Sequence, residues 1–349
     1  MFYKKKMRHK YVLPLDSYWR NCSKYGRPMK ALVTGATGFI GSHLADELVK
    51  RGYRVTCLVR KTSDLRWMEG LDVNRICGDC QDEGSLKQLD PDFDYVFHLA
   101  GLTKAKKEED FFCANAKGTE NLLRVVSANA SSLRRFIYLS SLAAVGPSRN
   151  GSALDETREP SPVSSYGRSK WEGERITLQY KDILPVTIIR PPAVYGPRDR
   201  DFHLFFKMLK RGFYPNWGKC YYSLLYVDDL VRGMIMAAET SGAAGGTYFL
   251  SDGMVYSNED IVNEIVQVLN AKVLRLRIPK AALNLLVEVG ELFGKKTSII
   301  NRDKFRELSH SHWVCDPKKA ERELGFKPKV TIKEGIKWTA DWYRIHQWL

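Results

Sequence analysis

Tyr166 and Lys170 stand four residues apart in the segment Tyr166-Gly-Arg-Ser-Lys170, with Ser141 upstream of them. On a helix this spacing projects both side chains from one face. A lysine charge beside a phenol favours the phenolate and lowers a pKa that is ordinarily about 10. A phenol tuned in that way passes a proton to or from a substrate oxygen near neutral pH. Tyrosine and lysine also fall at this spacing by chance, so the pair takes its meaning from what precedes it.

The elements that would position such a pair begin at Met29. Met29-Lys-Ala-Leu-Val-Thr34 is a short β-prone run leading directly into Gly35-Ala-Thr37-Gly38-Phe39-Ile40-Gly41. A helical segment over 42–51 follows, with Leu44, Ala45, Leu48 and Val49 at helical spacing and a stop at Gly52. Glycines here permit a tight turn, close approach to a pyrophosphate and close helix–strand packing, and the helix N-terminus faces the anion. A plain strand–turn–helix is the competing reading, and the spacing is GxxGxxG rather than GxGxxG. The candidate cofactor contacts are Gly35, Thr37, Gly38, Phe39, Ile40 and Gly41. The second strand, Arg54-Val-Thr-Cys-Leu-Val59, ends at Arg60. An acidic residue there bonds a ribose 2′-hydroxyl, whereas arginine accommodates a 2′-phosphate. Arg60 therefore favours NADP(H); Asp64, swinging in, is the route to NAD(H). Ile76-Cys-Gly-Asp79 and Tyr95-Val-Phe-His-Leu-Ala-Gly101 read as the third and fourth strands. Asp79 is a candidate for the adenine end, and Leu99, Ala100 and Gly101 for a backbone wall against the cofactor.

TGATGFIG, GDCQD, HLAG, NAKGTENLL, YLSSLAAVG, YGRSK and RPPAVYGP occur in that order. From about Met29 to the C-terminus the chain resembles the extended short-chain dehydrogenase/reductase superfamily, with its NAD-dependent epimerases and dehydratases. The resemblance implies an α/β fold: a Rossmann-type, doubly wound parallel sheet with a smaller α/β C-terminal substrate lobe. The expected division is a basic extension over 1–28, a cofactor domain over 29–190, and a substrate lobe over 191–349 whose segments interleave with the first domain. The resemblance also implies a catalytic set of Ser141, Tyr166 and Lys170. Tyr166 would be the acid/base, Lys170 would hold the nicotinamide ribose and tune the phenol, and Ser141 would bind the reacting oxygen. Ser141 is preferred to Ser140 because it lies five residues before Gly146 and 25 before Tyr166. Asn115 matches an asparagine of the fourth helix that aligns the helix or relays protons, and a helix-capping or satisfied polar role is the alternative. Pro191 and Val194 fall in the motif that borders the cofactor. Helices near Asn115 and Tyr166 form the dimer face in many relatives, so a homodimer is expected, with Trp171 available for the packing.

Departures from the superfamily pattern bear on the substrate. Nucleotide-sugar enzymes often carry an asparagine three residues after the RP-motif arginine; after Arg190 that place holds Ala193. They commonly clamp the diphosphate with an arginine where this chain has Tyr222. Both changes remove polar partners a diphosphate would use. Dehydratases tend to place Asp-Glu after the catalytic hydroxyl residue, and here Leu142-Ala143 follows. The pattern is closer to 3β-hydroxysteroid dehydrogenases and dihydroflavonol reductases. The resulting expectation is hydride transfer between nicotinamide and an alcohol or ketone of a bulky, largely apolar small molecule. A nucleotide-sugar epimerase is the alternative, and a non-catalytic NADP(H) sensor a minor one.

At 349 residues and 44% hydrophobic content the chain can bury a full core. Of its net charge of +15, residues 1–28 contribute +7, from eight Lys/Arg against Asp16. The remaining excess suits an anionic cofactor and argues against a nucleic-acid partner. Met29 is the expected true start, with residues 1–28 an upstream over-reading or a disordered extension. They hold no apolar stretch of a secretory signal. Seven scattered cysteines describe no disulfide framework, which points to a reducing cytoplasm. Cys77-Gly-Asp-Cys80 and His310-Ser-His312 are read as non-metal sequence, and no metal is expected. With no run of 18 apolar residues, no stable membrane insertion is expected. Helices are expected over 258–269 and 280–293, and a helix and turn over 316–328.

Overall fold

Phe136, Ile137, Tyr138 and Leu139, and Val186, Thr187, Ile188 and Ile189, are buried without alternation, as strands covered on both faces must be. The computed structural model describes residues 27–90, 92–128, 130–278 and 302–349. The arm over 1–26 and the helix expected over 280–293 lie outside the described residues.

The first layer contains β1 (Lys30–Thr34), β2 (Arg54–Val59), β3 (Val73–Cys77), β4 (Tyr95–His98), β5 (Arg135–Leu139) and β6 (Val186–Arg190). Between them run α1 (Phe39–Lys50), α2 (Glu83–Leu86), α3 (Glu108–Phe112), α4 (Gly118–Ser127) and α5 (Ser165–Gln179). The C-terminal part holds β7 (Ala193–Tyr195), α6 (Arg200–Lys210), β8 (Phe213–Asn216), β9 (Tyr221–Tyr222), β10 (Leu224–Tyr226), α7 (Val227–Glu239), β11 (Thr247–Phe249) and β12 (Tyr256–Ser257). It continues with α8 (Asn258–Leu269), β13 (Leu274–Arg277), α9 (Arg302–Leu308), β14 (His312–Trp313), α10 (Lys318–Leu324) and α11 (Ile332–Ile345).

Seven strands form one parallel sheet in the order β11-β6-β5-β4-β1-β2-β3. Parallel neighbours require crossovers, and the helices supply them on both faces. The sidedness is written into β1. Ala31 and Val33 join Leu44 and Leu48 of α1 and Leu230, Met234 and Ile235 of α7 in one core. Leu32 joins Leu86 of α2, Leu122 and Leu123 of α4, and Phe136 and Tyr138 of β5 in the other. Each fully buried leucine contributes roughly 1.5–3 kcal/mol. This is the doubly wound Rossmann arrangement, with the order reversing between β1 and β4, where such sheets open a crevice at their carboxyl ends.

A third core belongs to the C-terminal part: Tyr195, Phe206, Leu209, Tyr214 and Tyr226 pack with Ile261, Ile265, Ile336 and Tyr343. Two of its neighbours return to the first layer. β11 pairs with β6 at the sheet edge, and α7 packs on α1 and β5.

Candidate active site

The turn after β1 is built by its glycines. Gly35 has φ +71°, and a Cβ there would lie 2.8 Å from the backbone of Leu99 and Ala100. A Cβ at Gly41 would lie 2.2 Å from the Gly35 carbonyl oxygen. The turn therefore sits directly on the end of β4, and α1 starts against the turn. Gly38 caps α1 without a side chain, and the first amide bonded back along the helix is Ser42, at 3.0 Å from the Gly38 carbonyl. The amides of Phe39, Ile40 and Gly41 are left pointing off the helix end, where a pyrophosphate is favoured. Thr37, Phe39 and Ile40 are half-buried around the opening. This cradle fits a dinucleotide: the first amides of α1 have no partner within the helix, and the glycines at 35 and 41 let the end of β4 and α1 close on the turn, which added Cβ atoms would push apart.

Arg60, Asp64 and Asp79, the residues expected at the adenosine end, follow the ends of β2 and β3. The Arg60 side chain is exposed, and its amide donates to Ser63 Oγ at 3.0 Å. Asp64 is held instead by Arg66, whose Nε donates to it at 2.6 Å and whose amide donates at 3.1 Å. Asp79 accepts from the Gln81 amide at 3.0 Å, while its own amide donates to Ser85 Oγ at 2.9 Å.

The helix α5 carries Tyr166 and Lys170, and glycine brings it close to its neighbours. A Cβ on Gly167 would lie 2.3 Å from the Ala143 carbonyl oxygen, so α5 touches the short 3-10 turn Leu142–Ala144 that Ser141 caps. A Cβ on Gly173 would lie 2.1 Å from the Tyr138 hydroxyl and 2.6 Å from the Asn115 carbonyl oxygen. These approaches bring the Tyr166 phenol near enough to Ser141 for that hydroxyl to lower the pKa of the phenol, against the rise that burial causes. The Ser141 hydroxyl also accepts the Ala143 amide at 3.1 Å. The neighbouring Ser140 is buried, and its amide donates to the Ile189 carbonyl at 2.7 Å. Behind Tyr166, the buried Lys170 sets its Nζ 4.3 Å from the centre of the Tyr138 ring. Pro191 accepts the Leu142 amide at 2.8 Å, which ties this turn to the end of β6, and Val194 is half-buried in β7.

The electrostatics correct one expectation. The spacing alone implies that Lys170 pulls the phenol below its ordinary pKa, but burial pushes Tyr166 up to about 12, with the nearby Ser141 hydroxyl opposing and Glu307 adding to the rise. Burial also takes Lys170 down to about 7, with Glu174 opposing. A half-charged ammonium supplies only part of the field a full charge would. Desolvation therefore outweighs the charge of the lysine in this arrangement.

Asn115 lies in a π-helical turn, Cys113–Lys117, between α3 and α4, and every polar atom of its side chain is engaged. Its amide nitrogen donates to the Leu102 carbonyl at 2.9 Å and to Ser169 Oγ at 2.8 Å, and its oxygen accepts the Leu102 amide at 2.7 Å. It joins the loop after β4 to α5. A Cβ on Gly101 would lie 2.6 Å from that oxygen and 4.0 Å from Lys170 Nζ.

Two buried features escaped the sequence reading. The Ala100 amide donates to Thr34 Oγ1 at 3.1 Å, Thr34 Oγ1 contacts His98 Nδ1 at 2.7 Å, His98 Nε2 contacts Thr119 Oγ1 at 3.0 Å, and Thr119 donates to the Asn115 carbonyl at 2.7 Å. These bonds run in one direction only if Nε2 carries the proton. Burial and then the Lys170 charge hold His98 down at about 3, so it stays neutral. The signal was a histidine inside the otherwise apolar strand β4. The second is Glu174, one turn beyond Lys170. Arg190 donates to it from Nε at 3.0 Å and from Nη2 at 2.6 Å, both residues being buried. Arg190 is thus consumed in linking α5 to β6.

The family model of the NAD dependent epimerase/dehydratase family matches residues 31–250. The chain belongs to the NAD-dependent epimerase/dehydratase family. Within it, the chain is 30% identical to the ceramide reductase of Caulobacter vibrioides, over 91% of this chain and 95% of that protein. It is 26% identical to the 4-hydroxy-2-methyl-3-oxo-4-farnesyl-3,4-dihydroquinoline-1-oxide ketoreductase of Stigmatella aurantiaca, over 88% and 95% of the two chains. It superimposes with a TM-score of 0.73 on the UDP-glucuronic acid 4-epimerase of Bacillus cereus solved with UDP-glucuronic acid and NAD. The identity there is 25%, over 91% of this chain and 100% of that one. The epimerase/dehydratase family thus includes both reductases and epimerases similar to this chain. Among the described residues no group of three or more His, Cys, Asp or Glu side chains is set to hold a metal ion, and no helix is long and apolar enough to cross a membrane.

Proposed function

We propose that this chain reduces a ketone, or oxidises the matching alcohol, on a bulky and largely apolar molecule, with NADP(H) as the preferred cofactor. The observation that carries the reading is the hydroxyl pair Ser141–Tyr166, backed by the buried Lys170, whose Nζ lies beside Gly101 at the end of β4. A bound nicotinamide supplies or accepts the hydride. Tyr166 is protonated at neutral pH and gives its proton to the substrate oxygen in the reducing direction, taking one back in the reverse. Ser141 donates to the same oxygen as charge develops on it. Lys170 holds the nicotinamide ribose, and the first amides of α1 hold the pyrophosphate. Arg60 is free to meet a 2′-phosphate, since its side chain is exposed while Asp64 is bound by Arg66.

The substrate class rests on two positions of the C-terminal part where nucleotide-sugar enzymes carry polar groups. Tyr222 is half-buried against the aromatic core there, and Ala193 is exposed on β7. Neither offers charge to a diphosphate. Ceramide and a farnesylated quinoline, named in the two similar reductases, are lipophilic molecules of the proposed kind. The second reading, a nucleotide-sugar epimerase, draws on the likeness to the UDP-glucuronic acid 4-epimerase. Incubation with NADPH or NADH and a panel of long-chain, steroid and flavonoid ketones, alongside UDP-sugars, separates the two. The expected result is net NADPH consumption with an apolar ketone, faster than with NADH. Conversion of a UDP-sugar to its epimer without net cofactor consumption would replace this reading with the second.

A further inference from the structure

Asp303 and Glu307 lie one turn apart on α9 and are partly buried, whereas Lys304 and Arg306 of the same helix are exposed. The carboxylates meet the N-terminus of α5. One oxygen of Asp303 accepts the Ser165 amide at 2.5 Å and the other accepts the Tyr166 amide at 3.1 Å. Glu307 accepts the Ser164 hydroxyl at 2.8 Å, and the Ser164 oxygen accepts the Gly167 amide at 3.0 Å. The first amides of a helix have no partner within it. Here the amides of Ser165, Tyr166 and Gly167 all have acceptors, and two of the three come from a residue more than 130 positions away in the chain. The negative charge is placed where the helix dipole favours it. At its other end α9 is fixed to the substrate side, because the Trp313 indole donates to the Glu307 carbonyl at 3.1 Å and Trp313 is paired in register with Tyr222.

We propose that Asp303 is a positioning residue for Tyr166, setting the phenol against Ser141 from the C-terminal part of the chain, with Glu307 steadying it through Ser164. This rests on the reading that Tyr166 delivers the proton. Beyond its first turn α5 is already anchored by Gly173 and by the bond between Asn115 and Ser169. Loss of Asp303 therefore loosens the one turn that holds the phenol rather than the helix. An error of about 1 Å in such a group costs on the order of 100-fold in rate.

The test uses the full-length chain with Asp303→Ala, Asp303→Asn, Glu307→Gln and, as control on the exposed face, Arg306→Ala. With NADPH and a long-chain aliphatic ketone, Asp303→Ala is expected to lower kcat about 100-fold while the NADPH Kd and the ketone KM change less than about twofold. Asp303→Asn, which keeps one acceptor oxygen, is expected to recover part of the loss, Glu307→Gln to lose less, and Arg306→Ala to match the parent. An unchanged kcat, or a loss matched by weaker NADPH binding and a lower Tm, overturns the positioning role. A crystal structure of Asp303→Ala reads the same point without activity. Displacement of the Tyr166 phenol from Ser141 supports the inference, and an unmoved phenol overturns it. If the parent reduces no ketone yet the phenol moves in that structure, the reductase reading fails and the positioning role stands.

Discussion

Lys170 is where local chemistry and burial conflict most openly. Its folded pKa of about 7 lies below the ordinary lysine value of 10.5 because an ammonium loses hydration in this pocket. Between those two values the unfolded chain binds more protons than the native one, so stability rises with pH across that window. Lys170→Met removes the group and should flatten that rise. In cofactor-free protein, denaturant unfolding of the parent is expected to gain on the order of 2 kcal/mol over Lys170→Met between pH 7 and pH 9. Equal pH dependence in both would mean the lysine is not desolvated. Tyr166→Phe keeps the ring and removes only the proton donor. It is expected to lose 100- to 10,000-fold in kcat, roughly the range for general acid catalysis, while NADPH titration followed by fluorescence gives an unchanged Kd.

The helix α5 works as an element because small residues line the sides that meet the Ser141 turn and the π-helical turn. Gly173 is the more demanding of the two contacts, since an added methyl would collide with the Tyr138 hydroxyl and with backbone. Neither can yield easily, as Tyr138 is fully buried beneath Lys170. Gly173→Ala is therefore expected to destabilise the protein by roughly 1–3 kcal/mol through overpacking and to lower kcat through displacement of Lys170. Thermal melts and turnover measured together would check this. A Tm within a degree of the parent would show that the contact has slack the geometry denies. The His98 chain acts on the same neighbourhood from below, holding the Ala100 backbone and the Asn115 turn in one register.

At the scale of the whole molecule, the cofactor layer is not closed by residues before Arg190. β11 supplies the strand that pairs with β6, and α7 covers α1 through Leu230, Met234 and Ile235. The buried pair Glu174–Arg190 needs Phe249 of β11 as well, whose ring lies 5.7 Å from the guanidinium carbon. A chain ending at residue 190 would expose Val186, Ile188 and Ile189 at a bare sheet edge, a surface prone to association. Such a fragment is expected to show no cooperative unfolding transition by calorimetry, whereas the full chain shows one dominated by the shared cores. A sharp transition in the fragment would show that the first layer folds without its later pieces.

Much of this was legible in the linear chain because it depends on neighbours. The strand–turn–helix from Lys30 to Lys50, the extent of α8 over Asn258–Leu269, and the shared face of Tyr166 and Lys170 follow from glycine conformations and side-chain periodicity within a few residues. The helix α1 starts at Phe39, three residues before the expected position, since Gly38 caps it through its backbone alone. Family membership was readable for the same reason, from ordered short motifs. What the spacing could not give is the depth at which each group is buried and which distant residue reaches it. The pKa of Lys170, the satisfied state of Asn115, the neutral His98 and the grip of Asp303 on the Tyr166 amide all join residues tens to more than a hundred positions apart. Desolvation and hydrogen bonding act through space, and only the folded chain determines which groups meet.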